Sequence, residues 1–278
     1  MSDSNPLISV AELSERLDDV HLLDVRWQLG RDDGREQYLA GHIPGAVFVD
    51  VESDLTRHGE PHEGRHPLPD HDALAAAAQR WGIRQGASVV VYDGAGMLAA
   101  SRAWWALRRA GLKDVRVLDG GWQAWLAAGG ASETGETAVP AGDVVLESPG
   151  DRGIIDTSAA GAWTESGVLV DARAAERYRG ETEPLDPIAG HIPGARNLPI
   201  ARLLTDDGRF VSASDIAAAF DDIGADADAS VAAYCGSGIT AAQLALAGAI
   251  IGKDVTVYPG SWSAWSNTPG LPVATGAE

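Results

Sequence analysis

One six-residue string occurs twice in this chain of 278 residues: Gly-His-Ile-Pro-Gly-Ala runs from 41 to 46 and again from 190 to 195. Flanking elements recur in register. Leu22-Leu23-Asp24-Val25-Arg26 answers Leu169-Val170-Asp171-Ala172-Arg173, and Tyr92-Asp93-Gly94-Ala95-Gly96 answers Tyr234-Cys235-Gly236-Ser237-Gly238. Val115 to Leu118 answers Val255-Thr256-Val257, and Gly120-Gly121-Trp122-Gln123-Ala124-Trp125 answers Gly260-Ser261-Trp262-Ser263-Ala264-Trp265. Agreement in this order marks a duplication, and its period is far longer than that of a stacked solenoid. Each copy alternates short apolar runs with runs of helical length, the pattern of a parallel sheet covered by helices on both faces. The chain is therefore expected to be α/β with two domains, residues 1–140 and 141–278. They would be joined through the Gly-, Ser-, Thr-, Glu- and Pro-rich stretch 129–149.

Charge narrows the partners. Asp and Glu number 40 against 21 Lys and Arg, a formal net charge of -19, which repels nucleic acid and anionic membrane surfaces. No run approaches the length of a membrane span, and residues 1–7 lack the apolar core of a signal peptide, so a cytoplasmic chain is expected. A single cysteine, Cys235, makes an internal disulfide impossible.

That cysteine is where the two copies part. Ser230 to Tyr234 reads as a buried strand and Ile239 to Ile251 as a helix, so Cys-Gly-Ser-Gly forms the turn between them. Its glycines let successive N–H groups point at one spot beside the positive end of the helix. Such a spot favours the thiolate, the nucleophilic form of cysteine. A lone cysteine is often only a buried structural thiol, but ligands of open α/β sheets bind at the carboxyl ends of strands, where this one stands. In the first copy Asp93 occupies the position, after a strand Ser88 to Tyr92 and before a helix Leu98 to Arg109. It is expected to cap a turn or the helix.

Other signals weigh less. Gly94-Ala95-Gly96-Met97-Leu98-Ala99, with Asp119 at the end of the next strand, mimics a dinucleotide fingerprint, yet the remaining units of a dinucleotide fold are missing. A dinucleotide-binding oxidoreductase therefore stays a minor alternative. His58, His62 and His66 recur every four residues, but Gly59, Pro61 and Gly64 oppose one continuous helix. They are read as loop residues at a rim, and no metal is expected. His42 and His191, duplicated in a half without a nucleophile, are expected to serve the structure. Trp122, Trp125, Trp262 and Trp265, spaced by three, are expected in the cores.

The tandem Gly-His-Ile-Pro-Gly-Ala motifs, the exchange of Asp93 for Cys235 and the loop Cys235 to Thr240 together resemble the two-domain rhodaneses, the thiosulfate and 3-mercaptopyruvate sulfurtransferases. The resemblance covers nearly the whole chain. It implies two tandem rhodanese-like domains, each a parallel sheet flanked by helices, with the nucleophile in the C-terminal one. It implies that Cys235 takes a sulfane sulfur from a small anionic donor, holds it as a persulfide and passes it to cyanide or a thiol, a thioredoxin-like protein included. No cofactor is implied. The amides of Gly236, Ser237, Gly238, Ile239 and Thr240 would cradle the sulfur, and Arg177 falls on the family's substrate-binding arginine. Cys-Gly-Ser-Gly is similar to the mercaptopyruvate branch, whereas thiosulfate would need Arg177 or Arg179 to supply charge that the loop lacks. A second arginine of that branch is missing, with Leu185 and Asp186 standing where it would be sought. Asp50 and His66 match an aspartate and a histidine that the branch sets to work with the loop serine, here Ser237. Ser261 matches a family serine near the site, with Pro259 replacing the acid that commonly precedes it. Thiol phosphatases related to the fold need an arginine six residues after the cysteine, where this chain has Ala241. A sulfur carrier without turnover would use the same loop as the enzyme and remains the other functional class.

Overall fold

The computed structural model describes residues 5–277, and the chain divides into two compact units. The first runs to Arg57, resumes over Pro69–Gly150 and takes in Asp206–Phe210. The second gathers His58–Leu68, Asp151–Thr205 and the chain from Val211 onward.

In the first unit five strands, β1 (Leu7–Ile8), β2 (His21–Asp24), β3 (Val47–Phe48), β4 (Val89–Tyr92) and β5 (Val115–Leu118), form a sheet in the order β1-β5-β4-β2-β3. Every pairing is parallel. The second unit has β6 (Val168–Asp171), β7 (Arg196–Asn197), β8 (Val231–Tyr234) and β9 (Val255–Val257) in the order β7-β6-β8-β9, again parallel throughout. The central strands β4 and β8 are buried at every residue, as strands covered on both faces must be. Side chains alternate along them. Val90 and Tyr92 join a core with Leu13, Trp122 and Trp125, while Ala232 and Tyr234 join one with Trp262 and Trp265. The helices Leu98–Arg109 and Ile239–Ile250 pack on β4 with β5 and on β8 with β9. All four duplicated tryptophans are buried. No helix among the described residues is long and apolar enough to cross a membrane.

The duplicated residues tie one polar knot in each unit. Arg26 and Arg173 leave the ends of β2 and β6, pair with Asp24 at 2.8 Å and Asp171 at 2.6 Å, and donate to the carbonyls of Gly41 and Gly190. Each guanidinium lies over an indole, of Trp122 at 5.2 Å and of Trp262 at 4.7 Å. Buried charges persist only when paired and hydrogen-bonded in this way. Burial works against the Arg173 charge, but Asp171 outweighs it and keeps the guanidinium more firmly protonated than usual. His42 and His191 stack on Tyr38 and Tyr178 and hydrogen-bond their carbonyls through Nδ1. The hydroxyls of Tyr92 and Tyr234 accept from the amides of Ile43 and Ile192. The repeated strings are thus the parts of one repeated bracket, and the motif histidines belong to it.

Candidate active site

Cys235 follows β8 directly and is 2% exposed. Its Sγ accepts the Gly238 N–H at 3.1 Å. Gly238 is the left-handed residue that starts helix Ile239–Ile250, at φ 85, and a Cβ there would lie 2.4 Å from the Pro259 carbonyl oxygen. Only glycine fits this turn. The backbone of the loop is braced from one side. Trp262 N–H donates to the Cys235 carbonyl at 2.9 Å, Ser263 N–H to the Gly236 carbonyl at 2.8 Å, and Cys235 N–H to Ser261 Oγ at 3.1 Å. Ser261 Oγ in turn donates to the Tyr258 carbonyl at 2.9 Å. Ser261 is fully buried and sits at φ 55, a conformation that costs an L-residue energy and persists where surrounding bonds enforce it.

The first copy answers this loop with a filled one. Asp93, fully buried, accepts the amides of Ala95 at 2.8 Å and Met97 at 2.9 Å through Oδ1 and that of Ala100 at 2.9 Å through Oδ2. Burial pushes its carboxyl above the usual range against the pull of those amides. The turn is also one residue longer than its counterpart. Helix Leu98–Arg109 is capped by left-handed Met97, four residues after Asp93, whereas Gly238 stands three after Cys235. Met97, not Gly96, is therefore the structural partner of Gly238, which shifts the register read from the two glycine pairs. Amides that a dinucleotide pyrophosphate would need are held by Asp93.

Around the cysteine the second unit collects side chains from three segments. His66, 4% exposed, shares a 2.7 Å hydrogen bond between Nδ1 and Ser237 Oγ. It is no rim residue: His58–Leu68 belongs to this unit, and Gly64, at φ 93, comes so close to Gly260 that a Cβ would meet its carbonyl oxygen at 2.6 Å. Exposed His62 lies on the short turn Pro61–Glu63 outside the pair. Arg177 is the third residue of the four-residue helix Ala175–Tyr178 and is clamped by Glu183, 2.6 Å from Nη2 and 3.3 Å from Nε. Asp186 Oδ2 lies 3.4 Å from the same Nη2. Glu183 also receives Arg173 at 3.2 Å, linking this group to the polar knot. Asp186 Oδ1 accepts from Arg65 Nη1. A Cβ built on Gly236 would lie 3.2 Å from Arg65 Nη2 and 3.5 Å from Arg177 Nη1. Ile239 is buried and Thr240 half-buried in the first helical turn.

Two expected members have local partners of their own. Asp50 belongs to the first unit, where its carboxylate caps the helix Val51–Asp54 by accepting the Glu52 amide at 2.8 Å. Arg179 forms an exposed pair with Glu181 at 2.7 Å. Arg65, Glu183 and Asp186 went unread as a group in the sequence. The signal for Arg65 was its place beside His66, and for Asp186 its place where an arginine was sought.

Comparison with known proteins agrees with this architecture. The rhodanese-like domain family matches residues 9–128 and 156–268. The chain is 47% identical over 277 residues to the Mycobacterium tuberculosis protein named "Putative thiosulfate sulfurtransferase SseB", covering 97% of both. It is 34% identical to the 3-mercaptopyruvate sulfurtransferase of Escherichia coli strain K12, covering 94% of this chain and 95% of that protein. The crystal structure of SseA from Escherichia coli superposes with a TM-score of 0.83 at 31% identity, over 93% of this chain and 99% of that one. With two matched domains, two parallel sheets and a cysteine loop in only the second, the chain belongs to the rhodanese family as a tandem of rhodanese-like domains.

Proposed function

We propose that this protein is a sulfurtransferase that moves a sulfane sulfur from 3-mercaptopyruvate or thiosulfate to cyanide or a thiol through a persulfide on Cys235. The observation that carries it is the Cys235 sulfur on the Gly238 amide, which caps the start of a twelve-residue helix, with the His66–Ser237 hydrogen bond in the same loop. The thiolate attacks the donor sulfur and an S–S bond forms. From 3-mercaptopyruvate the C–S bond breaks, its electron pair passes to C3 as the pyruvate enolate, and the donor's thiol proton ends on that carbon. Ser237 and His66 form the relay for this proton. From thiosulfate the S–S bond breaks and sulfite leaves with the pair, so no proton is needed. The persulfide anion rests on the Gly238 amide and the helix end, as a developing charge rests on fixed dipoles. Cyanide then takes the outer sulfur as thiocyanate and returns the Cys235 thiolate.

Arg177 binds the donor's anionic end, and Ser261 sets the loop. A thiol acceptor, such as a thioredoxin-like protein, fits the same second step, and a reducing cytoplasm suits an enzyme that depends on one free thiol. The test is thiocyanate formation with each donor, together with the intact mass after donor treatment. Turnover with parallel initial-rate lines and a mass gain of one sulfur atom, both lost in Cys235→Ala, are expected. Activity retained by that variant would overturn the proposal. A persulfide that forms but turns over only with a protein acceptor would replace the enzyme with a carrier.

A further inference from the structure

Two guanidinium groups face Gly236 from different parts of the chain. Arg177 Nη1 and Arg65 Nη2 lie 3.5 and 3.2 Å from the place its side chain would fill. Neither nitrogen has a hydrogen-bond partner among the described residues, although both arginines are otherwise engaged. Arg65 and Arg177 are only 26% and 19% exposed at their side chains, so neither is an ordinary solvated surface charge. A guanidinium carries five donors in a fixed fork, and free edges turned to one point are a receptor for an anion with two oxygens. Asp186 explains why the edges converge. Its side chain is 1% exposed, and it spends Oδ1 on Arg65 and Oδ2 on Arg177. A single carboxylate between two cations both neutralises them and fixes their spacing.

We infer that Arg65 is the second donor-binding cation of this site and that Asp186 is the positioning residue that holds Arg65 and Arg177 together over Gly236. The group's own charge selects the donor class. Arg65 and Arg177 are balanced by Glu183 and Asp186, and Arg173 by Asp171, so the cluster is formally neutral before the donor arrives. A neutral cluster with one free terminal nitrogen on each of two guanidinium groups suits one carboxylate, an oxygen to each, better than a compact dianion, which gains more from net positive charge. The inferred donor is therefore a monoanionic carboxylate bearing a transferable thiol sulfur, as in a 2-oxo acid.

This rests on the sulfur-transfer reading, and its test includes a measurement that does not need turnover. Calorimetry of Cys235→Ala with 3-mercaptopyruvate is expected to show binding that weakens about tenfold or more when Arg65→Ala is added and recovers in part with Arg65→Lys. In the active enzyme Arg65→Ala is expected to raise the KM for 3-mercaptopyruvate by a similar factor, with kcat and the KM for cyanide within about twofold of wild type. Asp186→Asn, which removes the negative charge between Arg65 and Arg177 and so leaves the cluster with a net positive charge, is expected to raise the ratio of kcat/KM for thiosulfate over that for 3-mercaptopyruvate. Equal binding with and without Arg65, no binding to Cys235→Ala at all, or an unchanged donor ratio in Asp186→Asn would each overturn the inference. Binding that depends on Arg65 in a protein without sulfur transfer would keep the anion site and overturn the function instead.

Discussion

Replacing Ser261 separates two energies that meet at one buried residue. Its Oγ accepts the Cys235 amide at 3.1 Å and donates to the Tyr258 carbonyl at 2.9 Å, and the residue is wholly shielded from water. Ser261→Ala leaves that amide and that carbonyl without this partner in the interior, at about 1–3 kcal/mol for each buried unsatisfied group, so a loss of roughly 2–6 kcal/mol is expected. Ser261→Gly loses the same bonds. It also releases the strain of φ 55, a backbone angle that Gly121 already adopts at the matching position in the first unit. That release is worth about 1 kcal/mol. The expected order of stability is therefore wild type, then glycine, then alanine. Urea titration followed by tryptophan fluorescence reads it, since Trp262 adjoins the site and is fully buried. Both variants should also transfer sulfur more slowly, because the Cys235 backbone loses a brace. An alanine variant within about 0.5 kcal/mol of wild type, or a glycine variant less stable than alanine, would refute the account of Ser261 as a strained clamp.

Gly238→Ala is expected to cost roughly 2–4 kcal/mol and most sulfur transfer, since its Cβ meets the Pro259 carbonyl at a left-handed φ; the same titration with a thiocyanate assay checks it. His66→Ala should lower kcat with 3-mercaptopyruvate by about a hundredfold or more and leave thiosulfate, whose sulfite leaves without a proton, much less affected. Equal losses with both donors would count against the proton relay. For pH, burial pushes the Asp24 carboxyl up to about 6 despite the Arg26 charge beside it. Since this exceeds the unfolded value near 4, the stabilisation is complete below about pH 4 and lost as pH rises through about 6. Relative to wild type, Asp24→Asn should gain roughly 3 kcal/mol between pH 4 and pH 7, and parallel stability curves would show that Asp24 does not titrate so.

The duplication made the fold legible, because each repeated string serves the same bracket twice and strand ends can be read from it. Cys235 was legible for a related reason, as the point where one copy breaks the pattern. What escaped were relations that spacing does not encode. His58–Leu68 looks like a glycine- and proline-broken loop, and nothing local says that it joins the second unit, because Gly64 against Gly260 is a contact across most of the chain's length. His66 was thus read both as a rim residue and as a partner of Ser237, and only the second position is occupied. Asp50 matched a pattern in sequence while its carboxylate caps its own helix. At residue 186 an arginine was sought and an aspartate stands. A sequence search finds residues by position, whereas the cluster is defined by where guanidinium groups end, and Arg65 is 121 residues from the carboxylate it meets.

Asp93 gives the first copy an inheritance that is hard to reverse. Its carboxylate behaves as a ligand that never leaves, and the extra residue between strand and helix has moved the capping position to Met97. Restoring a thiol there by one substitution would place a sulfur in a loop spaced for a carboxylate, while deleting one residue alone would strand a buried charge away from its amides. Either change alone disturbs a loop shaped around the carboxylate. The loop that presents a sulfur in the second copy is, in the first, part of the framework itself.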